Sequence, residues 1–277
     1  MLFRSCLEIG RTTLAFARAR SLPVIVVLGR TYTVYNDVLN SNVPDLLREL
    51  GALALPVDCF PLPSDTPAFG DVFWRHAQAN VRAAHAIRRT DDLYPVYCSN
   101  YSCGPDSFTL HFFGYQMEHK PWSVIETDGH SGDAGTRTRL EAFLFCVDQD
   151  RAAGAEARKA RRVNDFRTID GVHQDMETTK RRDDLLLIPP MGVASYVTSA
   201  ALRGEGFRCE TLPLPDREAL ALGRRHTSGK ECVPMTITLG SVLQRLAHEQ
   251  DTGEHFAFMM PTADGPCRFG KIGRAHV

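Results

Sequence analysis

The sequence predicts an α/β protein built from two Rossmann-like open parallel-sheet units, the second cut short. Three observations carry this. Pro23-Val24-Ile25-Val26-Val27-Leu28 is a continuous apolar, β-branched run, the pattern of a strand covered on both faces. Strand and helix patterns then alternate with short connections, as parallel sheets require. The chemically unusual residues, Arg30, Asp58, Cys98 to Cys103 and Asp128 to Asp133, fall just past strand ends. In open α/β sheets that is where chemistry gathers.

Residues 1–21 read as a short amphipathic N-terminal helix carrying Leu7, Leu14 and Phe16. The first α/β domain spans 22–149. After Pro23–Leu28 comes the polar turn Gly29-Arg30-Thr31-Tyr32, then a helix over Val43–Leu50 closed by Gly51. Leu53–Val57 is a strand, and the proline-rich stretch Phe60–Gly70 is a loop. Trp74–Arg89 is a helix by its apolar spacing at Trp74, Ala77, Val81, Ala84 and Ile87. Leu93–Tyr97 is the third strand, Phe108–Met117 a helix, Trp122–Ile125 the fourth strand, and Ala134–Asp148 a helix.

Residues 150–184 shift to alanine, arginine and charge runs and read as a helical, solvated linker rather than a nucleic-acid patch. The second α/β domain, 185–270, has strands at Leu185–Ile188, Phe207–Leu212 and Phe256–Met260, with helices at Val193–Arg203 and Pro234–His248. It looks incomplete, because its last strand has no following helix. Residues 271–277 read as a non-native tail. Ile272–Val277 can be written as ATC GGA AGA GCA CAC GTC, a common sequencing-adaptor end, so the natural chain is expected to stop near Gly270.

Composition narrows the function. A chain of 277 residues, 43% hydrophobic, can bury a substantial core and suits about two domains. A net charge of −1 gives no electrostatic argument for nucleic acid or an anionic membrane. No apolar run approaches the roughly 20 residues of a membrane helix, and no secretory pattern opens the chain. Eight cysteines without such a signal point to a reducing cytoplasm, where thiols are core filler or ligands.

The cysteines are placed suggestively. Val96 to Phe108 reads as a strand end, a turn holding Cys98 and Cys103, and a helix opening at Pro105. Cys103 then stands just outside a helix N-terminus, where positive potential favours a thiolate. Cys232 precedes Pro234 in the same way, and Cys267 lies in the turn Gly265-Pro266-Cys267-Arg268-Phe269-Gly270. Cys6, Cys59, Cys146 and Cys209 read as small apolar residues.

Longer stretches carry a resemblance. Gly29-Arg30-Thr31-Tyr32 with Asn36 and Asn40, Ser99 through Phe108, Asp128 through Phe143, Gly229-Lys230-Glu231-Cys232-Val233-Pro234, and Gly265 through Gly270 are similar to the 2-hydroxyacyl-CoA dehydratase component and CoA-substrate-specific activase-related family. The match is to the C-terminal part of its large fused members, over about Leu22 to Gly270. It implies an iron–sulfur module, with a cluster of the 4Fe-4S type, serving ATP-driven low-potential electron transfer in anaerobic acyl-CoA metabolism. Its partners would be an ATP-dependent activase domain, fused or separate, and an acyl-CoA dehydratase. The implied ligands are Cys103, Cys232 and Cys267, with Cys98 as a possible fourth, and Arg30, Asp128, His130 and Lys230 as supporting neighbours. The chain carries neither a Walker-type glycine loop nor a complete substrate domain, so independent activity is not expected and its catalytic residues are unknown.

Two other readings stay open. The chain could be a noncatalytic docking domain of the activase without a cluster. It could also be a zinc-binding α/β domain, with His130 joining the three cysteines to complete four ligands. Around these residues several bland roles compete: Asp133 or Ser131 as helix cap, Arg137 and Glu141 as an i, i+4 pair, Asn36 and Asn40 as turn formers.

Overall fold

The computed structural model describes residues 2–69, 72–101, 103–127, 132–153, 175–227, 229, 231–247 and 253–260. The chain divides into two compact units, Met1–Asp165 and Phe166–Val277. The fold is α/β, with a parallel sheet in each unit.

The first unit is a four-stranded parallel sheet of β1 (Val24–Gly29), β2 (Leu53–Pro56), β3 (Leu93–Ser99) and β4 (Ser123–Glu126), in the order β2-β1-β3-β4. Helices cover both faces. Val24, Val26, Leu28 and Tyr97 pack with Ala17 of α1 (Leu2–Arg20), Ala84 and Ile87 of α4 (Arg75–Ile87), and Leu110 and Phe113 of α5 (Gly104–Met117). The alternate strand residues Ile25, Val27, Tyr94, Val96 and Cys98 pack with Leu46 and Leu47 of α3 (Val43–Glu49) and with Leu140 and Phe143 of α6 (Asp133–Ala152). Burial on both faces explains why β1 reads as an unbroken apolar run; all six of its residues are buried.

Several boundaries differ from the sequence reading. The N-terminal helix is 19 residues long rather than short. It is seated by Gly10, where an added Cβ would overlap the carbonyl oxygen of Cys59 in the 3-10 turn Val57–Cys59. The turn after β1 holds an unexpected helix, α2 (Thr31–Tyr35). Helix α5 begins at Gly104, so the opening expected at Pro105 is continuous with the run Phe108–Met117, and α6 runs on to Ala152.

The second unit holds β5 (Leu185–Ile188), β6 (Cys209–Thr211) and β7 (Phe256–Phe258), all parallel, in the order β6-β5-β7. Leu186, Ile188 and Cys209 form its core with Leu202, Ala257 and Met259. Around the sheet are α7 (Met176–Arg181), α8 (Val193–Gly204), α9 (Arg217–Arg225) and α10 (Val233–Ala247). The short α7 falls in the expected linker and is capped by Asp175, which accepts from the Thr178 amide. Helix α9, capped by Asp216, was not expected. It packs closely on α10, because an added Cβ at Gly223 or Gly240 would overlap the carbonyl of Thr236 or Ala219. The expected end of this domain with Cys267, and the separate 271–277 tail, lie outside the described residues. No described helix is long and apolar enough to cross a membrane.

Candidate functional site

The strand order turns back at β1, with β2 on one side and β3 on the other. A crevice past the carboxyl ends of β1 and β3 is where such a sheet presents a ligand site. Gly29, the last residue of β1, has φ +150. A Cβ there would stand 2.6 Å from the Cys98 carbonyl oxygen and 2.7 Å from Thr33 Oγ1, so only glycine brings the two strand ends this close. Thr33 on α2 ties them together: its hydroxyl accepts from the Arg30 amide at 3.1 Å and donates to the Cys98 carbonyl at 2.9 Å.

Cys103 is brought beside Tyr32 and Asp106 by the backbone. Its carbonyl accepts the Asp106 and Ser107 amides at 2.8 and 3.1 Å, which starts α5. Two residues earlier Tyr101 takes a left-handed φ of 41, unusual for a bulky side chain and a frequent mark of functional loops.

The Cys103 thiol is half-buried and donates to Asp106 Oδ2 at 3.3 Å. Tyr32 on α2 reaches Sγ from the other side, a long contact of 3.9 Å. Asp106 is 2% exposed and is surrounded by donors. Tyr97 OH donates to its Oδ1 at 3.1 Å and Ser99 Oγ to its Oδ2 at 3.2 Å. Arg30 Nε lies 3.8 Å from Oδ1. Asn80, fully buried on α4, anchors the network by donating to Tyr97 OH at 3.1 Å while bonding both the amide and the carbonyl of Gly29 at 3.2 Å.

The electrostatics correct one expectation. A helix N-terminus was expected to favour the Cys103 thiolate, yet burial pushes this thiol above its ordinary pKa. The Asp106 carboxylate adds to the rise, and the Arg30 guanidinium partly opposes it. Asp106 is also raised, by burial, against the lowering from its hydrogen bonds and from Arg30. Both shifts keep the proton on the pair, in line with Cys103 Sγ donating to Asp106 Oδ2.

The other expected residues are distributed as follows. Cys98 is fully buried in the core cluster with Ile25 and Leu140, outside the Cys103 network, and burial pushes its thiol up to about 12. Cys232 is half-buried and stands immediately before α10, its carbonyl accepting the Thr236 amide at 3.1 Å. Cys267, Asp128, His130 and Lys230 lie outside the described residues. Asp133 is the first residue of α6 rather than its cap, and accepts from Asn42 Nδ2 at 3.2 Å. Arg137 pairs with Glu141 at 3.7 Å as expected, and also with Glu49. Asn36 makes its turn by accepting from the Val38 and Leu39 amides at 3.0 and 3.1 Å; Asn40 accepts from the Asn42 amide at 2.9 Å.

Asp106, Tyr97, Ser99 and Asn80 complete the network without standing out as functional residues in the sequence. Two signals for them were present: a carboxylate three residues after Cys103 at a helix opening, and a lone Asn80 on the apolar stripe of α4.

Cys103 in the first unit and Cys232 in the second are each a half-buried free thiol directly ahead of a helix, a setting that suits a thiolate ligand. Among the described residues, no three His, Cys, Asp or Glu side chains stand together as a ready metal site. Comparison with known proteins gives no matching family model, no matching curated protein and no matching solved structure.

Proposed function

We propose that this chain is the iron–sulfur module of a 2-hydroxyacyl-CoA dehydratase/activase-like protein, working in the cytoplasm with an ATP-dependent activase domain and an acyl-CoA dehydratase. Cys103, Cys232 and Cys267 are the proposed thiolate ligands of a 4Fe-4S cluster. The observation that carries the reading is the setting of Cys103: a half-buried thiol at the β1/β3 switch point, with a carboxylate and a guanidinium arranged around it. Bound there, a cluster supplies low-potential one-electron transfer.

The chain's own residues prepare the ligand. Ligation requires the Cys103 thiolate, and Asp106 Oδ2, which already accepts the thiol hydrogen, is the nearest base for that proton. Arg30 favours the thiolate. Tyr97, Ser99 and Asn80 fix the direction of the carboxylate, and Gly29 keeps the strand ends close enough for both halves of the network to meet.

Anaerobic reconstitution with ferrous iron and sulfide tests the proposal. Broad visible absorption with about four irons per chain, reduced in Cys103→Ser, is the expected result. A colourless, iron-free product would sink the cluster and leave the docking-domain reading; stoichiometric zinc without iron would assign the site to zinc.

A further inference from the structure

We propose that Cys6 and Cys59 are a redox-sensitive thiol pair, which a low-molecular-weight disulfide such as oxidised glutathione converts into an internal disulfide fastening α1 to the sheet. The pair is separate from the Cys103 network and does not depend on the iron–sulfur reading.

Geometry brings the two cysteines together. Gly10 is the point where α1 rests on the chain after β2, its backbone pressed against the Cys59 carbonyl with no room for a Cβ. Cys6 lies one helical turn before Gly10, hence on the same face of α1. Cys59 ends the 3-10 turn and is 9% exposed in the core, while Cys6 is half-buried and packed against that same cluster. Both cysteines therefore lie in the packed contact between α1 and the 3-10 turn. Two cysteines brought to one packed contact from separate elements can bond where their Cα atoms come within about 7 Å.

The surroundings divide the roles. Cys59 is raised above its ordinary pKa by burial, by Cys6 and by the neighbouring carboxylate of Asp58, which also accepts from Tyr35 OH at 3.3 Å. Cys59 therefore stays protonated and shielded, and the more accessible Cys6 meets the oxidant first. The Cys6 thiolate attacks one sulfur of the disulfide, breaking its S–S bond, releasing one thiol and leaving a mixed disulfide on Cys6. Cys59 loses its proton to solvent and attacks the Cys6 sulfur, forming the Cys6–Cys59 bond and releasing the second thiol. The two cysteines together give up two electrons and two protons, and the small disulfide takes both up as two thiols.

The test uses the full chain, reduced, then equilibrated with oxidised glutathione, denatured, alkylated and mapped by mass spectrometry without reduction. The expected product is lighter than the reduced chain by two hydrogens, with the Cys6 peptide joined to the Cys59 peptide. Cys6→Ser should yield no such link. Cys59→Ala, which keeps a small apolar residue in the core, should stop at a glutathione adduct on Cys6. Wild-type chain that also stops at the adduct, that resists oxidation, or that links either cysteine elsewhere overturns the proposal.

Discussion

Tyr97 donates its phenolic hydrogen to Oδ1 of Asp106 at 3.1 Å, joining the end of β3 to the first turn of α5 in a fully buried contact. Burial also raises the phenol well above its ordinary pKa, with the facing carboxylate adding to the effect, so Tyr97 remains a donor. Asp106 is thereby fixed with one oxygen toward Tyr97 and the other toward Ser99 and Cys103.

This carboxylate should make stability depend on pH. Its folded pKa is raised above the ordinary 3.8 by burial. Between that value and the folded pKa the native state holds more protons than the unfolded chain, so stability falls as pH rises through the window. Asp106→Asn removes this dependence. Denaturant titrations across the mildly acidic range should show the variant losing less stability than wild type as pH increases; parallel profiles would exclude Asp106 as the group responsible.

Arg30 and Asp106 act on the Cys103 thiol in opposite directions. In the metal-free chain Arg30→Met should slow iodoacetamide alkylation of Cys103 near neutral pH, and Asp106→Asn should speed it. Each change should be roughly threefold, since a whole pKa unit corresponds to about tenfold in thiolate. Site-resolved mass spectrometry gives the rates, and changes of the same sign in both variants would contradict the assignment of opposing charges.

Lys120, 8% exposed, donates to the carbonyls of Ile87, at 2.9 Å, and Thr90, closing the C-terminal end of α4 with a cation. Lys120→Met keeps the apolar stem and removes both bonds. A loss of about 1–3 kcal/mol is expected from the carbonyls left unpaired. Tryptophan fluorescence during urea unfolding reports on this unit through Trp74 and Trp122; an unchanged midpoint would show that the bonds contribute nothing.

In the second unit, Gly223→Ala and Gly240→Ala should each cost about 1–3 kcal/mol, because the new methyl meets backbone carbonyls that cannot swing aside. That exceeds the roughly 1 kcal/mol alanine contributes to an isolated helix. Gly204→Ala, with nothing within 4 Å, should lose nothing. Amide hydrogen exchange over α9 and α10 distinguishes the three; equal protection in all of them would mean that the two helices do not pack tightly at these glycines.

The sheets were legible because burial on both faces writes a contiguous apolar run such as Val24–Leu28, which composition alone exposes. Helix α2 was not: five residues carry too little periodicity, and the turn is organised by the Thr33 hydroxyl bonding to Arg30 and to the distant Cys98 carbonyl. Cys103 could be placed at a helix opening from Pro105 alone. The sign of its pKa shift could not, because it depends on Asp106 being turned inward by Tyr97 and Ser99, residues that share the site only after β3 and α5 have packed.

The pairing of Gly29 with Cys98 across β1 and β3 also orders events in time. Everything between them, including β2 and α4, must be synthesised and folded over before Arg30 and Tyr32 have anything to meet. Parallel pairing at such separation is among the slower steps a small sheet takes. During refolding, Cys103 should accordingly remain open to alkylation until β3 docks beside β1, so that its protection from reagent becomes a clock for completion of the first unit.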